Sequence, residues 1–219
     1  MVSNSSKIAW GVTLLAAAGV WLIARSRRNS SRVPSLVTDI TNDNMPTTNN
    51  PNYDMRQYGN AISRGYRNNN PLNIDENGTK WQGRVAPSQD KRFVTFGSLP
   101  WGYRAAMVTM RTYITKYGLN TIFQIINRWA PASDGNYPVS YAANVCRIIN
   151  EQLGGNVTPD TVVAKDNRDL LTKMAYAMSI VENGKTHKYT NNGKEVTINL
   201  KETYGLPNMN IINEAWRLI

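Results

Sequence analysis

The sequence predicts an α+β fold, mainly helical, with a small hairpin ahead of the helices and a single N-terminal transmembrane helix. Three observations predict it. Apolar residues recur with a 3.6-residue period through most of the chain after Leu99. Ile74 to Phe96 is instead rich in extended formers and is broken by turn residues at Asn77-Gly78 and Pro87. Near the start, Ile8 to Ala24 is an apolar run of 17 residues without a charge.

That run is at the short end for a membrane-spanning helix, which needs roughly 17–25 residues. Trp10 and Trp21 lie near its ends, where a bilayer interface favours tryptophan. Arg25, Arg27, Arg28 and Arg32 follow and only Lys7 precedes, so the positive-inside rule places the C-terminal side in the cytoplasm or an equivalent interior compartment. A cleaved signal peptide is the rival, but its leading segment would be barely charged and four arginines would oppose export. The sequence thus predicts an anchor over 1–28 and a single-pass membrane location. Residues 29–60 are rich in Asn, Ser, Thr and Pro without apolar periodicity, which predicts a flexible linker. A globular domain over 61–219 follows.

Within that domain Tyr103, Ala106, Met107, Met110, Tyr113, Ile114 and Tyr117 share one face of a helix from Leu99 to Tyr117, stopped by Gly118. Asn120 is the expected cap of a second helix that ends at Pro131. A third is expected from Pro138 to Leu153, stopped by Gly154-Gly155. Thr158-Pro159-Asp160 suggests a short helix start. Asp166 is the expected cap of a longer helix carrying Leu170, Leu171, Met174, Met178 and Val181, and Asn210 to Leu218 of a last short one.

Charge narrows the partners. The chain carries +10, and from Arg56 onward 20 Lys and Arg face 12 Asp and Glu, so the domain itself is basic. That favours a polyanion: nucleic acid, anionic lipid or an anionic wall polymer. One cysteine, Cys146, excludes an intrachain disulfide and a multi-cysteine zinc site, and a single histidine, His187, disfavours a histidine-rich metal centre or a Ser/His triad. No cofactor and no metal site are expected.

The most unusual stretch is RGYRNNNPLNI, Arg64 to Ile74. An Asn-Asn-Pro sequence makes a tight turn, because asparagine side chains bond nearby backbone and the residue before proline leaves the helical region. The expectation is that Asn69 and Asn70 are buried or half buried and bond backbone across the turn. KWQG, DKRFVTFGSLPWGYRAA, TIFQIINRWAP and YAANV follow in order. This series resembles a family of small phage and prophage virion structural proteins. The likeness covers about Ser63 to Glu182, with Leu72 where the family has glycine and an insertion from Lys185 to Asn208. It implies a phage origin and fixes no activity.

A weaker resemblance links Asn-Asn-Pro-x-x-Ile, Trp-x-Gly and Phe-x-x-Phe to the cleft segment of lysozyme-like glucosaminidases and lytic transglycosylases. It implies a lysozyme-like domain that cuts the glycan strand of peptidoglycan. The glutamate those enzymes place upstream is missing. Glu182 is the substitute candidate: it ends the helix MAYAMSIVENG, where the negative end of the helix dipole raises a carboxyl pKa and suits a general acid. Asn68, Asn69, Asn70 and Gln82 are then candidates to bond sugar groups, and Tyr66, Trp81 and Trp101 to stack on sugar faces. Asp90 and Asp134 are the candidates for a second carboxylate, which a hydrolase requires and a transglycosylase does not. The expected partners are peptidoglycan glycan strands and membrane lipid. The alternative is a non-enzymatic virion membrane protein that binds glycan, nucleic acid or other virion proteins through its basic surface.

Overall fold

The computed structural model describes residues 50–219. The chain enters through two 3-10 segments, Pro51–Tyr53 and Met55–Ala61, and Met55 is already fully buried. One helical turn, α1 (Arg64–Arg67), leads into the Asn-Asn-Asn-Pro turn. The helices α2 (Leu99–Tyr117), α3 (Ile122–Trp129), α4 (Pro138–Gln152) and α5 (Arg168–Asn183) follow. A hairpin of β1 (Thr186–Asn191) and β2 (Lys194–Asn199) comes next, then α6 (Leu200–Tyr204) and α7 (Met209–Trp216). The α+β, mainly helical expectation agrees with this order.

The expectation of a transmembrane helix as part of the fold is corrected. No helix among the described residues is long and apolar enough to cross a membrane. The longest, α2, has 19 residues but carries Arg104, Arg111 and Lys116. The run Ile8–Ala24, on which that expectation rested, lies outside the described residues, as does most of the expected linker.

The core forms where the apolar faces of α2, α3, α4, α5 and α7 meet. Tyr103, Met107 and Met110 of α2, Ile122, Ile125 and Ile126 of α3, and Leu171, Met174 and Met178 of α5 are all fully buried. A smaller apolar cluster of Val94, Phe96 and Ala105, flanked by Ile74, Trp81 and Trp101, sits beneath the segment from Ile74 to Phe96. That segment is held by single antiparallel bridges, Asp75 to Phe93 and Arg84 to Phe96, and is therefore an irregular pair with no regular strand.

Three local expectations change. Thr158-Pro159-Asp160 makes a turn and no helix: the carbonyls of Pro159 and Thr161 accept from the N–H groups of Phe123 and Ile122, and Val162 bridges Thr121 in extended form. These bonds satisfy the open N-terminus of α3, which a helix over 158–162 would leave unpaired. The cap of α3 is Thr121, in a reciprocal capping box with Gln124. The cap of α5 is Asn167, because Asp166 turns outward to Arg111. Within Lys185–Asn208, Asn192 and Gly193 both take positive φ and close the β1–β2 hairpin.

The asparagine turn is seated on α2 through Gly102. A Cβ built there would lie 2.0 Å from the Asn69 carbonyl oxygen and 2.9 Å from Pro71 Cδ. Backbone on both sides cannot yield, so Gly102→Ala should destabilise the domain by about 3 kcal/mol, the upper range for overpacking. Urea unfolding of the variant against wild type measures this.

Candidate active site around Glu182

Asn69 and Asn70 are fully buried, and both use their whole amide on the fold. Asn69 Oδ1 accepts from the Met55 N–H at 2.8 Å, and its Nδ2 donates to the Phe96 carbonyl at 3.0 Å and to Asp54. Asn70 Oδ1 accepts from the Ile74 N–H, and its Nδ2 donates to the carbonyls of Ile74 and Val94, each at 2.9 Å. The turn is thus tied to the Val94–Phe96 segment. Asn68, also buried, donates to Asp90 at 2.9 Å. Asp90 in turn takes two bonds from Arg64 and the backbone N–H groups of Arg92 and Phe93, and these hold its carboxyl far below the usual carboxylate range, the Arg64 guanidinium foremost. Tyr66 is fully buried and lies with Tyr103 against Ser179 of α5.

These bonds fix the next residues, Asn73 and Ile74, at the wall of an open cleft of about 240 Å³. Asp75, Asn77, Trp81, Thr109, Tyr113 and Trp129 complete the wall. Asn73 has a left-handed φ of 53°, a conformation asparagine tolerates, and this turns its amide toward the end of α5. There Asn73 Nδ2 donates to Glu182 Oε2 at 3.0 Å. On the other side the Tyr141 hydroxyl donates to Glu182 Oε1 at 2.7 Å. Gly184, at φ 73°, closes the helix two residues later.

Burial raises the Glu182 pKa above the ordinary carboxyl value. Bonds from Tyr141, Asn73 and Trp129 oppose the rise without cancelling it. The helix C-terminus acts in the same direction as burial. Tyr141 is pushed well above its usual range, first by burial and then by the adjacent carboxylate, so it remains a donor. Two buried polar atoms at this wall have no partner among the described residues, Trp81 Nε1 and Asn73 Oδ1. An amide turn about Asn73 would offer Oδ1 to a protonated Glu182, so the site accommodates both protonation states.

Protein P5 of Pseudoalteromonas phage PM2 is 39% identical to this chain over 112 residues, which is 48% of this chain and 69% of the relative. The chain belongs to the family of this phage protein. No family model matches the chain.

In this P5-family chain Trp81 lines the cleft, whereas Glu182 is not a lining residue and lies behind the wall, bonded to Asn73 of that wall. Asn68, Asn69, Asn70 and Tyr66 lie beneath it as buried supports, and Gln82 is exposed outside the cleft wall. Trp101 packs face-on against Gly83, below the segment that carries Trp81. Asp134 sits in the exposed 3-10 turn Ala132–Asp134 and is no part of the wall. Sequence reasoning missed Asn73, Tyr141 and Asp75. Asn73 and Asp75 flank Ile74, so the signal was present in the same stretch. Tyr141 had none, because its position one helix away becomes meaningful only once α4 packs on α5. Asp75 is the one carboxylate in the cleft wall, and it is paired with Arg92 at 3.0 Å. Among the described residues no cluster of His, Cys, Asp or Glu is arranged to hold a metal ion.

Proposed function

We propose that this P5-family chain is a phage virion protein whose folded domain grips the glycan strand of peptidoglycan and cleaves it, with Glu182 as general acid. One observation carries the reading: a glutamate of raised pKa at a helix end, held between Tyr141 and Asn73, beside an open cleft with aromatic and amide walls. A protonated carboxyl there donates to the leaving glycosidic oxygen. Trp81 and Trp129 supply apolar faces for sugar rings. Asn68, Asn69, Asn70 and Tyr66 act by shaping the wall, and Gln82 meets the strand from outside it.

Asp90 is consumed by Arg64 and the backbone, so the second carboxylate of a hydrolase would be Asp75. Asp75 is already paired with Arg92, so the single acid of a lytic transglycosylase fits better. The test is digestion of purified peptidoglycan by the full chain. Anhydromuramyl ends support a transglycosylase and reducing ends a hydrolase. Binding without cleavage would leave a structural, glycan-binding virion protein.

The raised pKa carries a sign. An acid works protonated, so the rate should fall as pH rises through the Glu182 pKa, above the ~4.3 of an ordinary glutamate. Stability follows the same direction. Because the folded pKa exceeds the unfolded one, the contribution of Glu182 is complete below the unfolded value and is lost as pH rises through the folded value. Glu182→Gln should remove this slope and be at least as stable as wild type at neutral pH. Thermal unfolding of both proteins between about pH 4 and 8 checks it.

A further inference from the structure

The cleft beside Glu182 does not end at Tyr113. On the far side of that ring a second, wider basin of about 580 Å³ opens, walled by Leu119, Phe123, Gln124, Asn127, Arg128 and Pro131, with Tyr113 shared between the two. Tyr113 and Trp129 meet edge to face, 6.5 Å apart, and form the ridge between them. Arg128 is exposed on α3, and its guanidinium lies over two rings at once, Tyr117 at 4.0 Å and Tyr113 at 5.3 Å. Among the described residues no carboxylate lies within ion-pair distance of Arg128, although ten other ion pairs occupy Arg and Lys side chains of the domain. Stacking fixes the plane of this guanidinium while its N–H edge stays open.

We propose that this basin is a recognition site for a carboxylate on the substrate, with Arg128 as its anchor, so that the domain selects glycan strands bearing acidic stem peptides over bare amino-sugar polymers. The inference rests on the glycan reading of the Glu182 cleft and adds the chemical class of the strand. A polymer threaded past Trp81 and Trp129 must leave over the Tyr113 ridge or away from it. On the ridge side it meets a held cation flanked by the amides of Gln124 and Asn127. Neutral sugar hydroxyls have little use for a stacked guanidinium, whereas a planar carboxylate pairs with it through two parallel bonds. Holding the side chain beforehand reduces the ordering cost of that pair.

Binding of full-chain Glu182→Gln to two soluble probes, measured by calorimetry, tests this. One probe is a peptidoglycan strand with intact stem peptides, and the other is a bare strand of matching length made only of N-acetylglucosamine, which carries no carboxylate. The peptide-bearing strand should bind at least about fivefold more tightly, and adding Arg128→Gln should abolish that preference while leaving the bare strand unchanged. Arg128→Lys should restore only part of it, since an ammonium keeps the charge and loses the fork. Equal binding of both probes, unaffected at Arg128, overturns the proposal and leaves the Glu182 cleft standing. Failure of both probes to bind overturns both.

Discussion

Glu182→Gln should cut the rate of glycan cleavage by at least ~100-fold, the usual contribution of a positioned general acid. The loss should come without unfolding. Glutamine is isosteric, it still accepts from the Tyr141 hydroxyl, and its amide can donate to Asn73 Oδ1 after a turn of the asparagine. A purely structural link would behave differently, since replacing a carboxylate by its isostere in a site that already favours the neutral form would leave function intact. Tyr141→Phe provides the companion measurement. It removes the donor that holds Oε1, so the carboxyl pKa should rise further and the alkaline limb of the pH profile should move up. Such a shift is not expected of a change that merely loosens packing. Initial rates on purified peptidoglycan across pH, beside circular dichroism of each variant, separate these outcomes.

The second large effect concerns stability. Asn70→Ala removes three hydrogen bonds and leaves the Ile74 N–H and the Val94 carbonyl without their side-chain partner in the buried core. Asn69→Ala does the same to the Met55 N–H and the Phe96 carbonyl, and it places alanine at a φ of 52°. Each orphaned buried group costs about 1–3 kcal/mol. Either variant should therefore lose roughly 3 kcal/mol or more, and the pair should leave little folded protein at room temperature, given the ~5–15 kcal/mol stability of ordinary domains. Asn70→Asp should fare no better, because it points a second carboxylate oxygen at the carbonyls of Ile74 and Val94. Chemical unfolding monitored by tryptophan fluorescence measures all three. Unchanged midpoints would mean that the turn is held by packing alone.

Much of this was legible in the chain. The helices α2, α4 and α5 follow from apolar period and stop signals, because each buries one continuous face. The turn at Asn69-Asn70 follows from side chains that match backbone groups at short range. What escaped depends on long-range pairing. Thr158–Asp160 has the composition of a helix start, but its carbonyls are taken by α3. The hairpin at Asn192-Gly193 carried an ordinary turn signal, yet the flanking strands are exposed on most positions and lack apolar alternation. The place of Glu182 in the last turn of an apolar helix is legible, since Gly184 marks the stop. Its partners are not, because the residues that hold it come from α4 and from one step beyond the buried asparagines. The asparagines have the residue type of sugar ligands, but burial decides what they bond.

The most direct measurement is the end-group mass spectrum of peptidoglycan incubated with the full chain and, in parallel, with Glu182→Gln. The account predicts that wild type releases glycan fragments ending in anhydromuramyl residues and that Glu182→Gln releases none, while both bind the strand. Equal fragment release by the two proteins would remove Glu182 from the chemistry, and intact strands in both, on walls from several hosts, would contradict cleavage altogether.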